Sequence, residues 1–215
     1  MVGKEFPQFK NVEILWSEWN NQIVPYEEAI AFKNTAAHAA FAADSIKHMA
    51  DQNVDMATFS FVPGDKMWQG MGLFLEDQET PKPVYNTLRA FTAMEGTHAH
   101  RVHAETSADR VLGLNAFATK AEEHVAVCVW WNLEIPDPPD LARTGKIAIS
   151  GIPFSGEAVL ERYLIDETHS NFMAGAQHQD LERVEEKSLI IKDGSVDIPL
   201  EITASTVQLF KVLRR

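Results

Sequence analysis

Apolar and polar positions along the first hundred residues follow two periods in turn. Residues 12–19 form a short run rich in Ile, Leu and Trp, which suits a strand. After Pro25, the alanine-rich segment 26–52 carries Ile30, Phe41, Ile46 and Met49 among small residues at helical spacing. Alanine has the highest helix propensity and permits close helix packing. Residues 54–62 read as a second strand. An irregular stretch, 63–83, holds Gly64, Gly70, Gly72, Pro81 and Pro83. A second helix is expected over 84–95, with Gly96 as its C-cap. The order strand, helix, strand, loop, helix predicts parallel βα units in residues 1–100.

The pattern changes near residue 108. Segments 110–119, 124–132, 146–152, 158–165, 188–191 and 206–212 read as strands, separated by polar or Gly/Pro turns at 120–123, 136–139, 155–157 and 193–195. Short strands with regular turn signals and no long helical pattern predict an antiparallel β-sandwich over residues 101–215. Residues 97–107 are expected to be the linker. The fold expected overall is α/β followed by all-β.

Composition narrows the picture. The 215 residues are 45% hydrophobic and 23% charged, as for a globular chain with a packed core. The net charge of −12 argues against nucleic acid and anionic membrane surfaces, which need a basic patch. Cys128, the one cysteine, lies in an apolar run and is expected to be a small buried hydrophobe. No apolar run reaches the roughly 20 residues a membrane helix needs. Residues 1–15 carry Lys4, Glu5, Lys10 and Glu13 with no apolar stretch, so no signal peptide is visible. A cytoplasmic protein is expected, unless a preceding segment carries an export signal.

The segment 13–20, Glu-Ile-Leu-Trp-Ser-Glu-Trp-Asn, is the most informative chemically. On a strand Ile14, Trp16 and Glu18 share a face. In a βα barrel that face points inward, and Glu18 falls at the C-terminal end of its strand, where barrel enzymes place active sites. Trp16 and Trp19 offer indole faces for pyranose rings, and the Asn20 amide can hold a hydroxyl. On the residues alone, a helix-start carboxylate or a structural ion pair explains Glu18 equally well.

Trp-Ser-Glu18-Trp-Asn20 after an apolar strand resembles the nucleophile strand of glycoside hydrolase family 39, the β-xylosidase and α-L-iduronidase family. Gly70-Met-Gly-Leu-Phe-Leu75 followed by Pro81-Lys-Pro-Val-Tyr85 resembles that family's passage from the eighth barrel strand into the last helix. Tyr163-Leu-Ile-Asp166 with His169-Ser-Asn171 resembles a segment of its C-terminal β domain. The resemblance spans residues 12–175. It implies the last two βα units of a (β/α)8 barrel followed by a β-sandwich, Glu18 as nucleophile, and Trp68 with the loop 64–75 beside the sugar. It implies no cofactor and no metal.

Retaining glycosidases need two carboxyls about 5–5.5 Å apart. The family's acid/base, a glutamate after an asparagine on the fourth barrel strand, has no counterpart among these residues. A complete barrel takes about 250 residues. The expectation is therefore a fragment that carries the nucleophile, acts on xylose-like or uronic-acid-like glycosides, and depends on a missing N-terminal barrel portion as partner. The isolated chain is expected to be inactive and prone to associate through open strand edges. Glu76 and Asp77 are weak candidates for a substitute acid. The alternative is a non-catalytic carbohydrate-binding or interaction module built on the sandwich.

Other constellations carry blander readings. His98, His100 and His103 suggest zinc but lie in the expected linker without a cysteine. Asp166, His169 and Ser170 have triad residue types, crowded into five positions; structural hydrogen bonding between domains explains them better. Gly70-x-Gly72 lacks the third glycine of a phosphate loop. Trp130 and Trp131 project to opposite faces of one strand, one into the core and the other a sugar platform or, more commonly, an interdomain contact.

Overall fold

The computed structural model of the chain describes residues 13–20, 31–60, 70–107, 113–132 and 141–215. It is built mostly of β-strands in antiparallel sheets, with few helices. The first part is a parallel pair, β1 (Leu15–Trp19) and β2 (Met56–Phe59), joined through helix α1 (Ala36–Asp51) and followed by helix α2 (Pro83–Thr92). Strand, helix and strand thus fall in the expected order.

Boundaries moved for local reasons. The helical pattern over 26–52 is broken at Asn34 and Thr35, so α1 starts only at Ala36; residues 26–30 lie outside those described. Thr35 is extended and donates its hydroxyl to the Phe32 carbonyl, closing the preceding turn. Pro83 opens α2 at its first position, where a missing N–H costs nothing. The expected C-cap at Gly96 is not one: α2 ends at Ala93 in a helical conformation. Gly96 is needed for closeness, because a Cβ there would run into Glu123 and His124 of the β-turn below.

The second part is a six-stranded sheet in the order β3-β4-β5-β10-β7-β8, comprising β3 (His100–Val102), β4 (Leu114–Lys120), β5 (His124–Trp131), β7 (Gly156–Ile165), β8 (Glu182–Ile191) and β10 (Val207–Arg214). A two-stranded sheet of β6 (Ala142–Ser150) and β9 (Ser195–Thr203) packs on one face. The two helices pack on the other. Strand β5 is consequently buried along its whole length. Val125, Val127, Val129 and Trp131 face the β6–β9 pair, while Ala126, Cys128 and Trp130 face α1 and α2. A strand covered on both faces reads as a continuous apolar run, which is why 124–132 shows no alternation.

Three strand readings are corrected by the structure. Segment 188–191 is the tail of a ten-residue strand whose polar front, with Glu185, Glu186 and Lys187, lies on the sheet edge. Strand β9 is not among the expected strands, although Val196, Ile198, Leu200 and Ile202 alternate with polar positions and face the core; Pro199 interrupts that pattern. It pairs on one side only, with β6, the place a sheet tolerates proline. The expected linker contains a short strand, β3. Between β8 and β9, Asp193 (φ 49°) and Gly194 (φ 66°) form the two-residue turn that Asp-Gly favours.

The two parts share one apolar cluster. Ala39, Ala40 and Ala43 of α1 and Ala90 of α2, with Met94, pack against Ala126, Cys128, Trp130, Ile165, Val207 and Leu209 of the six-stranded sheet. Small side chains let α1 approach the sheet closely. Polar bonds fix its position along its length. At the helix start burial pushes the Glu167 pKa up, and the Ala36 backbone opposes that push by favouring the ionised carboxyl. Asp44 Oδ1 accepts from Asn115 Nδ2 at 2.8 Å and Trp130 Nε1 at 3.1 Å in the middle. Asp51 pairs with Arg101 at the end. Asn86 of α2 donates to the carbonyls of Ser170 (2.9 Å) and Gln179 (2.8 Å).

Candidate active site

Two tryptophans, a residue type enriched in strands, favour extended backbone in β1, which pairs in parallel with β2 over Leu15↔Met56 and Trp16↔Ala57. The register then slips, and Trp19, not Glu18, stands opposite Phe59. A bulge of this kind interrupts alternation. The shared face inferred for Ile14, Trp16 and Glu18 therefore holds by period only as far as Trp16. Glu18 lies in the bulge at the C-terminal end of the strand, and its side chain is exposed.

The neighbours of Glu18 divide. Trp16 is 52% exposed, beside Ile14, Leu15 (60%) and Met56 (59%), on a parallel pair that no other strand flanks among the described residues. Trp19 turns to the helices and meets Phe59 edge-on at 4.9 Å, above Ala42, Leu73 and Val84. Asn20 Nδ2 donates to the carbonyls of Met71 (2.9 Å) and Ser60 (3.3 Å), and its Oδ1 lies 3.1 Å from Nε2 of the buried His38. Trp68 and residues 64–69 of its loop lie outside the described residues. Beyond them, Gly70 (φ 82°) turns the chain and its carbonyl accepts from the buried Lys82 Nζ at 2.9 Å. Neither His38 nor Lys82 stood out in the sequence; a histidine inside an alanine run is the only signal for the first.

Asp77 and Glu76 are exposed on the loop before α2. Asp77 accepts from the Thr80 hydroxyl and from the N–H groups of Thr80 and Glu79, which hold its carboxyl below the usual range. A proton donor needs the opposite shift. The Ser170 hydroxyl is buried, donates to the Leu164 carbonyl at 2.6 Å and accepts from the Glu182 N–H at 2.8 Å. Asp166 closes a turn by accepting from the N–H groups of Thr168 and His169. These residues are structural. His98, His100 and His103 are exposed; His98 pairs with Glu122 and His103 with Glu105. Among the described residues no three His, Cys, Asp or Glu side chains gather as a metal site would need. Trp130 and Trp131 are both buried, the first against α1 and α2 and the second in the cluster shared with β6 and β9. No helix among the described residues is long and apolar enough to cross a membrane.

The fold has counterparts among solved structures of glycoside hydrolases. The chain superposes on a bacterial orthologue of human α-L-iduronidase with a TM-score of 0.75, at 15% identity, over 100% of this chain and 44% of the other. A glucosidase from Croceicoccus marinus gives 0.72 at 20% identity, over 97% of this chain and 47% of the other. A glycoside hydrolase family 39 enzyme from Xanthomonas axonopodis pv. citri gives 0.70 at 13% identity, over 95% and 45%. The chain thus spans less than half the length of each. No protein-family model matches the sequence, and no curated protein matches it.

Proposed function

We propose that this chain is the C-terminal portion of a retaining glycoside hydrolase, supplying strands seven and eight of a (β/α)8 barrel and the sandwich that supports them. The observation that carries this reading is the placement of Glu18: an exposed carboxylate at the C-terminal end of a strand in a parallel β-α-β unit, within a fold shared with glycosidases. Active sites of βα barrels lie at that end.

In the proposed reaction a Glu18 oxygen attacks the anomeric carbon of a xylose-like or uronic-acid-like unit. The glycosidic C–O bond breaks, and the leaving oxygen takes a proton from a second carboxyl on the remainder of the barrel. That carboxyl, now ionised, takes a proton from water, whose oxygen displaces Glu18 and releases the sugar. Trp16 and Trp68 supply apolar faces to the ring. The remainder of the barrel is also the proposed partner for the uncovered faces of β1 and β2. Ile14, Leu15, Trp16 and Met56 are exposed there, and an open apolar strand pair calls for strands to cover it.

The test combines this chain with the complementary barrel portion and a 2-deoxy-2-fluoro glycoside bearing a good leaving group. Intact-mass and peptide analysis is expected to find one glycosyl adduct, on Glu18, and none in Glu18→Gln. An adduct elsewhere, or turnover unaffected by Glu18→Gln, refutes the assignment. Oligosaccharide bound by the sandwich face, with Glu18→Gln indistinguishable, would favour a binding module instead.

A further inference from the structure

We infer that His38 is a positioning residue that fixes the end of the Glu18 strand through Asn20; the inference rests on the nucleophile reading above. The bulge between Trp16 and Trp19 takes Glu18 out of regular pairing, so the ladder alone does not set its direction. Residues 19 and 20, just past the bulge, must hold the strand end instead. The Trp19 carbonyl accepts from the Ser60 N–H at 3.0 Å, and two residues beyond Glu18 the Asn20 side chain ties β1 to the end of β2 and to Met71. His38 is the third anchor of that amide and is fully buried, with its ring among Phe32, Phe41 and Phe59.

The chemistry of the amide selects the tautomer. Asn20 reaches two carbonyls only with its nitrogen toward them, which turns its oxygen to His38 and requires a proton on Nε2. Nδ1 lies 3.2 Å from the Lys33 carbonyl, and a neutral ring has one proton for the two oxygens. Three bonds of the latch depend on the Nε2 side. Burial, joined by the charges of Lys82 and Lys33, pushes the His38 pKa down to about 3, against a smaller upward pull from the Lys33 carbonyl, so the ring is neutral at ordinary pH. A neutral, buried imidazole is a fixed donor whose geometry pH does not disturb.

Two measurements test this. Long-range nitrogen–carbon-bound-proton correlations on the histidine-labelled chain are expected to show His38 as the Nε2–H tautomer with no titration down to about pH 5. The Nδ1–H tautomer would mean that Asn20 has turned over and released Ser60 and Met71, and would overturn the latch. Next, His38→Ala and His38→Gln are assembled with the complementary barrel portion. His38→Ala is expected to slow fluoroglycoside labelling of Glu18 by about 10- to 100-fold, the cost of a misplaced reacting group, with KM for an aryl glycoside changed by less than about twofold. His38→Gln, whose amide can donate to Asn20, is expected to recover most of the rate. Equal labelling of wild type and a folded His38→Ala overturns the positioning role. A wild-type assembly that never labels refutes the nucleophile reading, and with it this role, while the tautomer still reports on the latch.

Discussion

The indole N–H of Trp130, on strand β5 of the six-stranded sheet, donates to the carboxylate of Asp44, in the middle of the helix that follows the Glu18 strand, at 3.1 Å. Asn115 donates to the same oxygen at 2.8 Å, and His48 stands 3.3 Å from the other. One carboxylate thus ties the βα part to the sheet that supports it. Asp44→Ala would leave a buried indole N–H without its acceptor. Hydrogen bonds to charged groups contribute about 1.5–3 kcal/mol, and a loss of that order is expected in urea unfolding. Trp130→Phe, which removes the donor but keeps an apolar ring, should cost less. Equal stability of Asp44→Ala and wild type would show that the bolt is idle.

The far end of the same helix sets a pH dependence. Burial pulls the Asp51 pKa upward, but hydrogen bonds and charge from Lys47 and Arg101 outweigh it and hold the carboxyl below its usual range. A depressed folded-state pKa gives stability that is present above the unfolded value, about 3.9, and is lost as pH falls through the folded one. The pair is partly solvent-exposed, so the effect is modest. The urea midpoint of wild type should therefore fall more steeply below about pH 4 than that of Asp51→Asn. Parallel profiles would rule the pair out as a contributor.

Cys128 lies in the shared cluster between helices and sheet, and burial pushes its thiol pKa well up. The thiolate is the reactive form. The native chain should resist a thiol-specific disulfide reagent and react fully in denaturant. Fast native labelling would mean that the helices lift from the sheet readily.

The uncovered strands predict self-association. With Leu15, Trp16 and Met56 more than half exposed on a parallel pair that no other strand flanks among the described residues, the isolated chain should form concentration-dependent oligomers in sedimentation velocity. Leu15→Lys with Met56→Lys should reduce them, since charge on an open strand opposes edge pairing. The double variant should also weaken assembly with the complementary barrel portion. A wild-type chain that stays monomeric at high concentration contradicts this account of the surface.

Legibility in the sequence depended on range. The strand at 15–19, the long helix, the strand at 56–59 and the apolar strand at 124–131 follow from local composition and period, because each element's own side chains carry its signal. The polar front of the edge strand 182–191 escapes a local reading, because what makes it a strand is pairing with β7, whereas 195–203 does carry the alternation of Val196, Ile198, Leu200 and Ile202, interrupted only by Pro199. Non-local hydrogen bonds override unfavourable composition, and a single sequence does not display them.

The same division holds at the candidate site. The sequence by itself determined that a carboxylate ends a tryptophan-rich strand, that alanines give α1 a close-packing face, and that the net charge is −12. Only the tertiary structure decided that a bulge frees Glu18 from the ladder, that Trp19 packs toward the helices while Trp16 stays open, and that Asn20 is tied to Ser60, Met71 and His38. Those partners lie 18 to 51 positions away in the chain. Their meeting depends on how two strands and a helix pack, which local period does not encode.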